Sequence, residues 1–179
     1  LAHFTEHMFF TGTKEKDKQQ ISKQYFDFIN TNAYTNGREI CFTGNVFTNE
    51  FDAYLNTVAE LIALSTFSQK NVDAEIPVVQ QEIAISKDKY NRLANECNNY
   101  NLFKNDVFKN RVVGNENSVA TIKSKDVKDY VKKYFIANNL HAYVASPMSA
   151  GKVKKLLSKF ANSIPSKSKF DGLPMLYID

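Results

Sequence analysis

Two of the three histidines in this 179-residue chain stand four residues apart near its start, with a glutamate between them: His3-Phe-Thr-Glu6-His7. On a helix, residues i, i+3 and i+4 share one face. Two imidazoles and a carboxylate would then converge on one point. Neutral imidazole is the commonest transition-metal ligand, and two on adjacent turns can share one zinc ion. A glutamate beside them is placed to take a proton from a water that the metal polarises. The bland alternative is a helix with two surface histidines and a solvated carboxylate. The flanks argue against it, because Leu1, Phe4, Met8 and Phe9 recur at helical spacing, the pattern of a packed helix. Ionisable groups on a packed helix need a metal or a paired network to hold them.

Two histidines do not hold zinc alone. A catalytic site takes three protein ligands and leaves one position open. The third ligand should be a His, Cys, Asp or Glu from another element, and periodicity does not choose among the chain's many carboxylates.

The elements that must position these groups follow from pattern. Gly12 closes the first helix, and residues 11–18 read as a charged surface turn. Residues 19–30 carry Ile21, Tyr25, Phe26, Phe28 and Ile29 at helical spacing. Asn36-Gly37 is a hairpin signal that calls for positive φ at both positions. The flanking stretches, residues 33–35 and 39–47, alternate as an antiparallel pair. A helix over residues 51–65, capped by Thr48 or Asn49, turns Leu55, Val58, Leu61 and Ile62 inward. Residues 73–93 read as one long helix with Pro77 in an early turn. Glu75 and Glu82 are seven apart on it and share a face. A polar, Asn-rich segment over residues 95–110 reads as helix, and residues 114–117 as a loop. Ser124 caps a helix over residues 125–135, and residues 140–146 alternate as the second clear strand. A last helix covers residues 150–162, and the Ser/Lys/Pro stretch 163–168 follows it. The final ten residues carry no signal. This order is not βαβ alternation. It suits the α+β class, with helices packed on one face of a mainly antiparallel sheet.

Composition bounds the function. A hydrophobic content of 43% and a charged content of 23% are those of an ordinary globular domain. The net charge of +4 is spread along the chain without a basic, aromatic-studded stripe, so no nucleic-acid partner is expected. No apolar run reaches the roughly 20 residues of a membrane span. Cys41 and Cys97 are too few for a disulfide framework and are expected to be reduced core residues. His141, without a partner, reads as an ordinary strand residue. The chain begins with Leu, already inside the motif helix, so an internal segment of a longer protein is expected.

The stretch from His3 to Thr13 resembles the active-site segment of the pitrilysin/insulinase family of zinc metallopeptidases. The likeness continues through Asn32-Ala33-Tyr34-Thr35 and Glu39, through the segment from Glu75 to Ile83, and into the later Gly-loop, helix and strand. It implies a zinc endopeptidase hydrolysing peptides or presequences, with residues 1–179 forming a single, partial catalytic domain. It implies that His3, His7 and Glu82 bind one Zn2+, that Glu6 is the general base, and that Glu75 supports the site. It implies that Asn32, Ala33, Tyr34 and Thr35 form an edge strand that pairs with the substrate backbone. Three departures accompany it. The segment between the motif and Asn32 is short and lacks the glycines often seen just before that strand. The strands that precede the motif in the family are not in this sequence. The second, homologous half that supplies an arginine and a tyrosine would have to come from the same longer chain or from a partner subunit. The alternative is a non-catalytic scaffold subunit of such a peptidase complex. Members of that kind usually lose part of the His/Glu set, which is complete here.

Overall fold

The motif helix, α1 (Ala2–Phe9), is walled in on several sides in the computed structural model, which describes residues 1–87, 89–103 and 107–166. Phe4, Met8 and Phe9 are buried, and α1 packs against the hairpin and against two later helices. Leu1, the fourth apolar residue of the expected stripe, is exposed. A strap of residues 11–17 then returns past Leu64 and Ser65 through short bridges. Thr11 and Thr13 are buried in it, so this turn is less of a surface feature than its charges suggest.

Helix α2 (Lys18–Phe26) starts on a capping box in which Asp17 accepts from the Gln20 backbone. It ends four residues before the expected limit. Thr31 Oγ1 donates to the Tyr25 carbonyl at 2.7 Å, and Asn30 takes a positive φ of 49°, which turns the chain out of the helix. Strands β1 (Asn32–Thr35) and β2 (Ile40–Thr43) pair antiparallel, with Thr35 opposite Ile40. The turn between them has four residues rather than the expected Asn-Gly pair. Asn36 Oδ1 accepts from the backbone of Arg38 and Glu39, an Asx turn that needs no positive φ. Gly37 leaves room for the Phe108 ring instead, which a Cβ there would approach to 2.8 Å and have to displace. β2 stops well short of residue 47, since the Asn45 N–H turns away to the Ile29 carbonyl.

Helix α3 (Phe51–Leu64) buries the expected face of Leu55, Val58, Leu61 and Ile62. Its cap position is Glu50, without a side-chain bond, not Thr48 or Asn49. Helix α4 (Gln69–Ser86) is capped by Ser68 and begins earlier than expected, so Pro77 sits mid-helix on the exposed side. Its buried face is Val72, Glu75, Val79 and Ile83. The single long helix expected over residues 73–93 is two. The Ser86 hydroxyl bonds back to Ile83, the chain turns at Lys87, and α5 (Tyr90–Leu102) starts anew. No Gly or Pro marks that break.

A 3-10 turn (Val107–Lys109), α6 (Glu116–Ala120), α7 (Ser124–Tyr134) and α8 (Ala150–Asn162) follow. Residues 104–106 of the expected 95–110 helix, the end of the 163–168 stretch and the final ten residues lie outside the described residues. Asn115 caps α6 within the expected loop. Ser124 does not cap α7, because its hydroxyl donates to the Phe67 carbonyl. Residues 140–146 form no strand. Leu140 packs on the core, but 141–146 are exposed, and no strand among the described residues pairs with them. Alternation encodes which face is apolar, but a strand also needs a neighbour for its N–H and C=O groups. His141 is accordingly an exposed residue without a ladder. Both cysteines are free, and Cys97 is exposed rather than in the core.

The class is α+β, as expected: helices packed against an antiparallel sheet, here one hairpin among the described residues. None of those helices is long and apolar enough to cross a membrane. For the site, the consequence is simple. α1 contacts α4, α7 and both strands, so the polar stripe His3, Glu6, His7 faces α4 and β1.

Candidate metal centre

His3 and His7 stand on adjacent turns of α1, ring centroids 4.8 Å apart. Glu82, from the C-terminal half of α4, reaches both. Its Oε2 lies 3.5 Å from His3 Nε2 and 3.4 Å from His7 Nε2. The three donor atoms all fall within 4.8 Å of one another. Zinc bound at 2.0–2.2 Å sets tetrahedral ligands about 3.3–3.5 Å apart, so these two separations are those of neighbouring ligands around one ion.

The protons point the same way. Glu75, two turns earlier on α4 and only 5% exposed, accepts from His7 Nδ1 at 3.0 Å. A carboxylate only accepts, so Nδ1 carries the proton and Nε2 presents its lone pair. That lone pair faces the Glu82 carboxylate. In the metal-free chain a proton on Nε2 can bridge the 3.4 Å to that carboxylate, and a metal ion bound there would take the proton's place. The donor set of two imidazoles and one carboxylate suits zinc.

Burial and charge separate the two histidines in the metal-free chain. Burial pushes His3 down to about 4, against the pull of Glu82, so it stays neutral. Burial also opposes protonation of His7, but its bond to Glu75 and the charges of Glu75, Glu82 and Glu6 outweigh that and raise it. For Glu75, burial is likewise outweighed by hydrogen bonds from His7 and Lys18, which hold it below the usual range. Lys18 Nζ sits 3.0 Å from Glu75 Oε2. Glu6 is pushed up, chiefly by burial, with Thr35 and His7 acting against the rise. Thr35 Oγ1 donates to Glu6 Oε2 at 2.5 Å.

Six of the residues singled out from sequence therefore meet: His3, Glu6, His7, Glu75, Glu82 and Thr35. Asn32, Ala33 and Tyr34 lie alongside on β1. Asn32 Oδ1 accepts from the Ala33 N–H at 2.9 Å, and the Asn36 N–H donates to the Glu39 carbonyl, beside the pairing of Thr35 with Ile40. Antiparallel pairing alternates, so Ala33 and Thr35 both direct their backbone groups toward the edge of β1 that β2 does not cover. Lys18 was not foreseen, nor was the hydroxyl-to-Glu6 contact. Lys18 lies 57 residues from its partner Glu75, and no local pattern links them.

Two imidazoles and a carboxylate gathered on one helix pair are a donor set that could hold a metal ion, and comparison with known proteins gives the family. The chain belongs to the insulinase family (peptidase family M16), whose model matches residues 1–116 and so spans the whole cluster. It is 28% identical over 180 residues to an uncharacterized zinc protease of Rickettsia felis, covering 99% of this chain and 43% of that protein. It is 20% identical over 178 residues to the mitochondrial-processing peptidase subunit beta of Caenorhabditis elegans, covering 98% and 39% respectively. Its fold is similar to that of the first half of the periplasmic protease PqqL from Escherichia coli, with a TM-score of 0.82 at 20% identity over 99% of this chain and 40% of that one. The chain thus spans less than half the length of these relatives. Relatives from Rickettsia felis and Bacillus subtilis are named zinc proteases, which implies zinc for the family.

Proposed function

We propose that this chain is the zinc-binding part of a metalloendopeptidase that hydrolyses bonds within peptides or presequences, residues 1–179 acting as a single, partial catalytic domain. The observation that carries the reading is the convergence of His3 Nε2, His7 Nε2 and Glu82 Oε2 within one ligand sphere, with Glu6 on the same face of α1. In this reading His3, His7 and Glu82 hold the metal. When bound there, zinc would supply Lewis acidity to the reacting groups. Glu75 keeps His7 in the tautomer whose Nε2 is free to ligate, and its contact with Lys18 ties it to the start of α2.

Glu6 is the general base. Its carboxylate accepts the proton of the attacking water and returns it to the leaving amine. Burial has raised its affinity for that proton, which suits a group that must take and give one near neutrality. The peptide lies along the uncovered edge of β1, its backbone pairing with Ala33 and Thr35 and its side chains alternating past Asn32 and Tyr34. The coverage of under half of each relative leaves room for a second, homologous half, and the groups that grip the carbonyl oxygen would come from it.

Glu6→Gln tests the reading. The variant should keep its zinc and lose turnover by about 100-fold or more, the usual share of a general base. Turnover at the wild-type rate with zinc in place would remove Glu6 from the mechanism.

A further inference from the structure

Among the described residues, Thr35 is the one that touches both parts of this arrangement. Its backbone faces the uncovered edge of β1, while its hydroxyl donates to Glu6 Oε2 across 29 residues of sequence. Among the described residues no side chain or backbone group donates to the other oxygen, Oε1. One carboxylate oxygen of Glu6 is therefore pinned and the other is left for a water.

We infer that Thr35 is a positioning residue that aligns Glu6 from the strand on which the peptide is seated; this rests on the peptidase reading above. The chemistry fits the residue type. A hydroxyl given to a carboxylate is a short, charge-assisted bond, stronger than a neutral one. A β-branched side chain on a strand holds a restricted χ1, so the donor stays aimed. Glu6 sits on α1 and its partner on β1, and a shift of the strand moves the base with it. Peptide pairing along β1 and proton transfer at Glu6 are thereby linked through one side chain. Misplacing a catalytic group by about 1 Å can cost on the order of 100-fold in rate, so the link has consequences for turnover rather than for binding.

A purely structural staple between hairpin and α1 would behave differently, and the experiment separates the two. Thr35→Val, Thr35→Ser and wild type are prepared in the full-length protein, with zinc content measured for each and cleavage of a quenched-fluorescent peptide followed. Thr35→Val should keep its zinc and hold KM within about two-fold, while kcat falls ~10- to 100-fold. Thr35→Ser, which restores the donor, should recover most of that loss. Wild-type kcat in Thr35→Val, or a Thr35→Ser as impaired as Thr35→Val, overturns the role.

A second readout does not depend on turnover. The urea midpoints of metal-free Thr35→Val, Glu6→Ala and the double variant form a cycle. The second substitution should add little once the bond is gone, and additive midpoints overturn the contact. A zinc-loaded wild type that cleaves nothing overturns the peptidase reading, and the role of Thr35 with it. A cleaving wild type beside an unimpaired Thr35→Val removes Thr35 alone.

Discussion

The two ends of α4 carry the same residue type on the same face and set it in different surroundings. Glu75, in the first half, is buried between His7 Nδ1 and Lys18 Nζ, both oxygens engaged by protein donors. Glu82, two turns on, has a side chain 41% exposed and offers one oxygen to both Nε2 atoms of the histidine pair. Seven residues bring both carboxylates to one side, but the neighbours decide what each can do. A carboxylate whose oxygens are saturated by N–H donors orients its partner. A carboxylate oxygen shared between two ring nitrogens is placed to hold a cation with them. The histidines mirror the contrast: His3, which meets Glu82 but not Glu75, is held neutral chiefly by burial, and His7, with Glu75 behind it, is not.

This contrast can be broken by exchanging each glutamate for its amide. In the proposed site Glu82→Gln would remove a ligand charge from the three donors and should show the largest effect, a loss of zinc affinity of about 1000-fold or more by chelator competition, since ligation needs deprotonated donors. Glu75→Gln should keep one zinc per chain and weaken it about 10- to 100-fold, the usual cost of losing a group that orients a ligand. Equal losses in the two variants would erase the distinction between the ends of α4.

The smallest effect sharpens the difference between the histidines. His3 has a folded-state value of about 4, below the ordinary 6.5. The unfolded chain then takes up a proton that the folded chain refuses as pH falls through 6.5. Stability from His3 is present above 6.5 and is lost on the way down. Between pH 7 and pH 5.5 this amounts to about 1 kcal/mol. His7, raised instead, contributes in the opposite sense, so the comparison is between metal-free wild type and His3→Leu in urea unfolding. The variant should lack about that much of the acid-side loss. Identical pH dependence in the two would mean that His3 is not held neutral.

The two halves of the site were unequally legible in the sequence. His3, Glu6 and His7 needed only the helical period and the rarity of histidine. Glu82 could not be chosen from among the carboxylates by spacing, and resemblance alone singled it out. Lys18 and the Thr35 hydroxyl were invisible as partners, because contacts across 57 and 29 residues are set by how α2 and β1 pack on α1 and α4. In the fold, the strongly periodic helices emerged near their expected places. The α4/α5 break did not, because it is made by a serine bonding back to a carbonyl rather than by Gly or Pro. The alternating residues 140–146 misled for a related reason: a strand is a property of a pair, and sequence shows one member.

The most direct test of the central claim is the zinc content of the purified chain, measured beside His7→Ala and Glu82→Gln. The account predicts close to one zinc per chain in the wild type and almost none in either variant, although the substituted residues lie 75 apart in sequence on different helices. Full zinc in Glu82→Gln, with loss only in His7→Ala, would contradict the three-donor site on α1 and α4.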